Sequence, residues 1–378
     1  MYQRILQATL REKFLQGKIL IITGPRQTGK TTLVLNLLEE LPREQVRIFN
    51  CDNPTDRALL ANRDREFLQQ LVGRALFIFI DEAQKVENIG NTLKLLVDFY
   101  GKEKQIIVTG SSSINLLDDA QEPLTGRKYV YTLFPLSLQE IYPVPDQLKL
   151  RKELEDFLLF GTYPEVVSQG SFEKKRELLE ELASSSIYKD IFELQGVKSS
   201  DILVRLVKAL ALQIGSEVSY TELSGLVGIE KKTVERYIDL LEKSFVIFRV
   251  YPYAKNKRRE ISKLKKIYFY DLGIRNAVLH NFNFLENRDD VGALWENFLF
   301  VERKKYLAYR KIYANQYFWR TYDGSEVDLV EEREGKLYGY ELKWGKSQSR
   351  TRAPRTWLDY PKSSHTLITK DNLAGFAL

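Results

Sequence analysis

The segment Gly24-Pro-Arg-Gln-Thr-Gly29-Lys30-Thr31 constrains this chain more than any other feature. It follows the apolar run Lys18–Thr23 and opens a helical pattern over Thr31–Leu41, which Pro42 stops. Phosphate oxygens are negative and need several donors at close range. Glycines let the backbone turn so that its N–H groups point inward, and a helix beginning near Lys30 adds the positive end of its dipole. In this spacing Lys30 reaches the terminal phosphates and the Thr31 hydroxyl meets a magnesium ion. The expected nucleotide-binding residues are Gly24, Pro25, Arg26, Gln27, Thr28, Gly29, Lys30, Thr31 and Thr32. The expected ligands are ATP, or a related nucleoside triphosphate, and Mg2+.

A second half of the same site lies downstream. Leu76–Glu82 is an apolar strand ending in two acids. Asp81 is placed to hold the metal beside Thr31, and Glu82 to polarise an attacking water as general base. A third strand, Gln105–Thr109, runs into Gly110 and three serines, and Ser111 or Ser112 is expected to touch the γ-phosphate or the water. Arg127 precedes the strand Tyr129–Phe134. It reads either as a sensor that stabilises transition-state charge or as one half of a structural salt bridge. With Val46–Asn50 as a further strand and helical patterns over Glu66–Leu71 and Ile89–Tyr100, the first third has a βαβ rhythm. That rhythm predicts an α/β domain, a parallel sheet with helices on both faces.

The elements GPRQTGKTT, FIFIDEAQ, VTGSSS and LTGRKYVYTLFPLSLQE follow one another in that order. Together they resemble the P-loop AAA-family ATPases of the archaeal-ATPase type, with a lid sequence around Phe134–Glu140. Phe160-Gly-Thr-Tyr-Pro-Glu165 and Ile187-Tyr-Lys-Asp190 extend the likeness. The chain is similar to a prokaryotic family of ATP-binding proteins with an AAA_14 core and a C-terminal domain of unknown function, DUF4143, over roughly residues 1–345. The resemblance implies an AAA-like core, a winged-helix segment and a nuclease-like C-terminal domain.

The residues themselves also suggest two further modules. Val218–Leu241 reads as helix–turn–helix: Thr221–Leu226, a turn through Gly228, then Lys231–Glu242 with Val234, Ile238 and Leu241 inward. Lys231, Lys232, Thr233 and Arg236 face out, where a DNA reader meets the major groove, and the basic cluster Lys255–Arg259 stands where a wing would meet phosphates. The same residues also suit a packing module with solvated charges. Further on, Tyr317–Arg320, Glu326–Glu331 and Leu337–Lys343 read as three strands of one sheet after a helix Trp295–Tyr309. An Asp on one strand and Glu-x-Lys on its neighbour is the pattern of restriction-endonuclease-like folds. Asp328 and Glu341 could share a magnesium, with Lys343 steadying the water and Glu296 as a further ligand. A nuclease-derived scaffold used only for binding has the same letters.

Bulk properties bound the rest. At 378 residues the chain has room for two or three domains, and 44% hydrophobic content supports a core in each. The expected division is an ATPase core over 1–143, a helical lid or linker over 144–200, a winged-helix-like domain over 201–262 and a restriction-endonuclease-like domain over 263–378. Net charge is +6, which permits nucleic-acid contact without arguing for it. The single cysteine, Cys51, excludes an intrachain disulfide, and His280 and His365 stand too far apart in sequence for a Cys/His zinc site. Residues 1–15, with Arg4, Arg11 and Lys13 among apolar residues, predict an amphipathic helix rather than a signal peptide. No apolar run reaches the length of a membrane span, so a cytoplasmic location is expected. Expected partners are nucleotide, then DNA or a partner protein.

Overall fold

The computed structural model describes residues 2–111, 123–185, 200–254, 264–345 and 353–378. Two compact units emerge, 1–135 with 243–245, and 136–242 with 246–378.

The first unit is built on a five-stranded sheet, all parallel. Its strands are β1 (Ile19–Thr23), β2 (Val46–Asn50), β3 (Phe77–Asp81), β4 (Gln105–Gly110) and β5 (Lys128–Thr132), in the spatial order β2-β3-β4-β1-β5. Every residue of β1, β3 and β4 is buried, so both faces of these strands are covered, as their unbroken apolar runs require. This is the sheet expected of a P-loop NTPase. The order places β4 between β1 and β3, so three strand ends meet at one edge of the sheet.

At the chain's start only Leu6–Arg11 is helical, shorter than the expected helix over residues 1–15. Arg4 lies before it and is buried, at 8% exposure.

The second unit holds a seven-stranded mixed sheet, ordered β12-β11-β10-β9-β7-β8-β6. The strands are β6 (Glu217–Val218), β7 (Ile247–Pro252), β8 (Lys265–Phe269), β9 (Asn315–Arg320), β10 (Glu326–Arg333), β11 (Lys336–Leu342) and β12 (Ser363–Ile368). The helices Tyr220–Val227 and Lys231–Lys243 stand where the helix–turn–helix was expected. Val234, Tyr237, Ile238 and Leu241 form the buried stripe of the latter, while Lys231, Lys232 and Arg236 are exposed.

Two expected boundaries differ. The division at 262/263 falls between β7 and β8, which are antiparallel neighbours (Ile247 with Phe269, Val250 with Lys266). β7 in turn runs parallel to β9, with Tyr251 opposite Tyr317, so one sheet continues across the expected division. The division at 143 moves to 135, because residues 136–140 are tied down within the second unit. The Leu136 N–H donates to the Thr162 carbonyl at 2.9 Å, and the Leu138 N–H to Glu302 at 2.9 Å. Lys305, 1% exposed on its side chain, donates to the Leu136 carbonyl at 2.8 Å and pairs with Glu302 at 2.7 Å. Ser137 and Glu140 complete a capping box. The segment expected as a lid therefore starts the second unit.

Among the described residues no helix is long and apolar enough to cross a membrane.

Candidate functional site

The loop after β1 is shaped by backbone geometry that few residues tolerate. Gly24 has φ +140°, and a Cβ there would lie 2.2 Å from the Leu133 carbonyl oxygen. Gln27 and Gly29 are left-handed, at φ +54° and +88°, on either side of Thr28. Such alternation turns main-chain N–H groups toward one concavity, the arrangement that suits an anion. Gly29 then caps the helix Lys30–Leu38. Lys30 is buried, and its ammonium donates to the carbonyls of Gly24 at 2.9 Å and Pro25 at 2.7 Å. Thr28, wholly buried, closes the turn from its hydroxyl to the Pro25 carbonyl at 2.9 Å. Thr32 is exposed in the first turn of the helix, and Arg26 is half-buried.

Asp81 ends β3 beside this helix. Its carboxylate accepts from the Thr31 hydroxyl, at 3.0 and 2.9 Å to the two oxygens, and from the Thr109 hydroxyl at the end of β4. Burial raises the Asp81 pKa, the two hydroxyl bonds oppose that, Glu82 adds to it and Lys30 counters it. A hydroxyl and a carboxylate in direct contact are hard oxygen donors of the kind magnesium takes. Thr109 escaped the sequence reading, which looked two residues further on. The strand register explains it: β4 is the neighbour of β3, so its last side chains reach Asp81.

Glu82 has φ +52°, a conformation that costs energy for a residue with a side chain and that concentrates at functional sites. Its carboxylate accepts from Gln84 Nε2 at 2.5 Å and from the Ser111 hydroxyl at 3.2 Å. Gln84 Nε2 also donates to Ser111 Oγ at 3.1 Å, while its own Oε1 is buried with no partner among the described residues. Glu82 and Ser111 are thus brought together, and Gln84 joins them unforeseen. Ser112 lies outside the described residues.

Arg127 belongs elsewhere. Its carbonyl accepts from the Ile19 N–H at 2.9 Å, at the start of β1, whereas the loop follows the end of that strand, roughly 13 Å away at the usual rise per residue. Its guanidinium pairs with Asp98 on the surface. The salt-bridge alternative describes it, and the sensor alternative does not, because the parallel pairing of β5 with β1 sets it at the opposite edge of the sheet. Cys51 is a buried strand-end residue; burial, then Asp56, pushes its thiol up to about 12, which leaves it inert.

In the second unit Glu296, Asp328, Glu341 and Lys343 come together. Asp328 sits at an irregularity in the pairing of β10 with β9, and the Leu342 N–H donates to it at 2.7 Å. Burial, then Glu296 and Glu341, pushes its pKa up to about 7. Lys343 pairs with Glu341 at 2.8 Å. Three members were missing from the sequence reading. Lys266 of β8, 4% exposed on its side chain, contacts Glu296 at 3.0 Å and Glu326 at 2.7 Å. Tyr268 donates to Glu296 at 2.5 Å. Burial lowers the Lys266 pKa, but the two glutamates outweigh it and the net shift is upward. Among the described residues no group of three or more His, Cys, Asp or Glu is arranged to hold a metal ion. The basic cluster Lys255–Arg259 and the segment Ile187–Asp190 lie outside the described residues.

Residues 16–142 match the family model of the AAA domain, 151–284 a domain of unknown function (DUF8612), and 291–372 the domain of unknown function DUF4143. An uncharacterized protein of Mycobacterium tuberculosis is 28% identical over 359 residues, covering 94% of this chain and 77% of its own. Another, from Methanocaldococcus jannaschii, is 25% identical over 332 residues, covering 80% and 74%. Among solved structures, a STAND-type signal transduction ATPase with a tetratricopeptide repeat sensor from Pyrococcus horikoshii aligns at TM-score 0.30 and 13% identity. That alignment covers 82% of this chain and about half, 48%, of the other.

Proposed function

We propose that this chain, which joins an AAA domain to a DUF4143 domain, binds ATP with magnesium at Gly24–Thr31 and hydrolyses it, and that the nucleotide state acts on the second unit. The observation that carries the reading is the meeting of Thr31, Asp81 and Thr109 beneath a loop with left-handed residues at Gln27 and Gly29. Main-chain N–H groups of the loop and the Lys30 ammonium bind the β- and γ-phosphates. Lys30 exchanges its bonds to Gly24 and Pro25 for phosphate oxygens, which are stronger acceptors because they are charged. Thr31 and Asp81 hold the magnesium. That ion supplies charge neutralisation on the phosphates when bound. Glu82 takes the proton of the attacking water, and Gln84 and Ser111 orient its carboxylate. The test is steady-state ATP hydrolysis by the purified chain with and without Mg2+. No magnesium-dependent turnover, together with no ATP binding, would sink the reading.

A second reading adds DNA as partner. The sequence helix, β6, two helices, then the β7–β8 hairpin has the order of a winged helix, with Lys231, Lys232 and Arg236 exposed. The convergence of Asp328, Glu341 and Lys343 favours a nuclease-derived scaffold beside it. Against cleavage stands Lys266, a cation already seated on Glu296, the expected further ligand, and on Glu326. Gel shifts at low salt, with and without magnesium, decide this: no shift would remove DNA from the list of partners, and a shift without cleavage would leave a binding scaffold. Switching of a protein-interaction surface is the remaining alternative, and pull-downs in ATP against ADP address it.

A further inference from the structure

One buried side chain at the loop has no part in the nucleotide chemistry above. Arg4 stands twenty residues before the loop in sequence, yet its guanidinium reaches it. Nη1 donates to the Thr28 carbonyl at 2.6 Å and Nη2 to the Phe134 carbonyl at 2.6 Å. The planar fork of an arginine suits two acceptors held at fixed separation. Phe134 follows β5, and the Leu133 N–H before it donates to the Thr23 carbonyl at 2.8 Å, at the very end of β1. Arg4 therefore fastens the crown of the loop to a segment that is itself fastened to the loop's base.

The consequence follows from the peptide plane. In a trans peptide the C=O of one residue and the N–H of the next point in opposite directions. Holding the Thr28 carbonyl outward on Arg4 turns the Gly29 N–H the other way, into the concavity. Gly29 has no side chain to restrict it, so the peptide plane between Thr28 and Gly29 could otherwise turn at modest cost. The Lys30 ties are of another kind: Lys30 holds Gly24 and Pro25 only until phosphate replaces those carbonyls. The Arg4 tie does not compete with the ligand.

We infer that Arg4 is a positioning residue for nucleotide binding, one that orients the Gly29 N–H toward phosphate through the Thr28 carbonyl. The inference rests on the nucleotide reading of the loop.

The experiment is ATP hydrolysis kinetics and equilibrium ATP titration on the full chain and on Arg4→Ala and Arg4→Lys, with thermal melts of each. Loss of the preset donor raises KM and Kd for ATP about tenfold or more in Arg4→Ala, with kcat changed by less than about threefold. Arg4→Lys, which keeps the charge and can hold one carbonyl at a time, falls between the two. Equal ATP affinity in the wild type and both variants would overturn the proposal, as would a lowered kcat at unchanged KM. If Arg4→Ala does not fold, the decision passes to Arg4→Lys, whose wild-type affinity would be equally fatal. A wild type that binds no ATP would sink the nucleotide reading itself, and this outcome is distinct from binding that ignores Arg4.

Discussion

Lys30 and Lys266 are both buried lysines at the centre of a polar cluster, and they are held in opposite ways. Lys30 donates to two neutral carbonyls of its own loop, Gly24 and Pro25. Lys266 is seated on two carboxylates, Glu296 and Glu326. A charged phosphate oxygen is a stronger acceptor for an ammonium than a neutral carbonyl, so on the proposed nucleotide reading phosphate draws Lys30 away from these bonds. Glu296 and Glu326 offer no such exchange, since any newcomer must displace an ion pair that is largely shielded from water. The first cluster seats its cation on main-chain carbonyls. The second has its counter-ion built in.

The largest effects that test this contrast belong to the first cluster. Lys30→Ala should weaken ATP binding by about a hundredfold or more, read by equilibrium titration, because several charged hydrogen bonds vanish together. Glu82→Gln should keep ATP binding and lower kcat by about 10²–10⁴, the usual range for a lost general base. Turnover at the wild-type rate would remove Glu82 from that role.

Lys266→Met separates the clusters. It leaves Glu296 and Glu326, both partly buried, without their cation, so urea unfolding should show a loss of about 1–3 kcal/mol, while ATP affinity stays at the wild-type value. A variant as stable as the wild type would mean that the second cluster is open to an outside cation after all.

Asp328 gives a smaller, pH-dependent effect. Its pKa rises from an ordinary 3.8 to about 7 on folding. Below pH 4 both folded and unfolded chains carry its proton, and the group is neutral to stability. Between about 4 and 7 the unfolded chain releases the proton and the folded chain keeps it, so this group makes stability fall as pH rises. Denaturation at several pH values should show that slope in the wild type and a shallower one in Asp328→Asn. The smallest effect is expected at Arg127. Its exposed pair with Asp98 lies away from the loop, and Arg127→Ala should leave KM and kcat for ATP within about twofold of the wild type.

Legibility followed the range of the interactions. The loop, β1, β3 and β4 were readable because each is an unbroken apolar run or a motif confined to a few residues. The helix pair at Tyr220–Val227 and Lys231–Lys243 was readable from its 3.6-residue stripe. Glu296, Asp328, Glu341 and Lys343 were readable as letters, but Lys266 was not, since nothing near it in sequence marks a lysine destined for burial. Gln84 and Arg4 were equally silent: an amide two residues past an acid and an arginine near the N-terminus are ordinary until their partners are known.

The amino-acid sequence by itself determined where the Gly24–Thr31 loop lies, the α/β class of the first unit and the acids that end β3, because glycine placement and apolar periodicity act over neighbouring residues. Tertiary structure alone decided the strand order. That order inserts β4 between β1 and β3 and so brings Thr109 to Asp81, and it sends Arg127 to the far edge. It also decided that β7 runs on into β9, joining in one sheet what the sequence divides at 262/263. The reason is common to all of these. Which strands become neighbours depends on how apolar faces are covered and main-chain groups paired across the whole unit, and no short stretch of sequence carries that information.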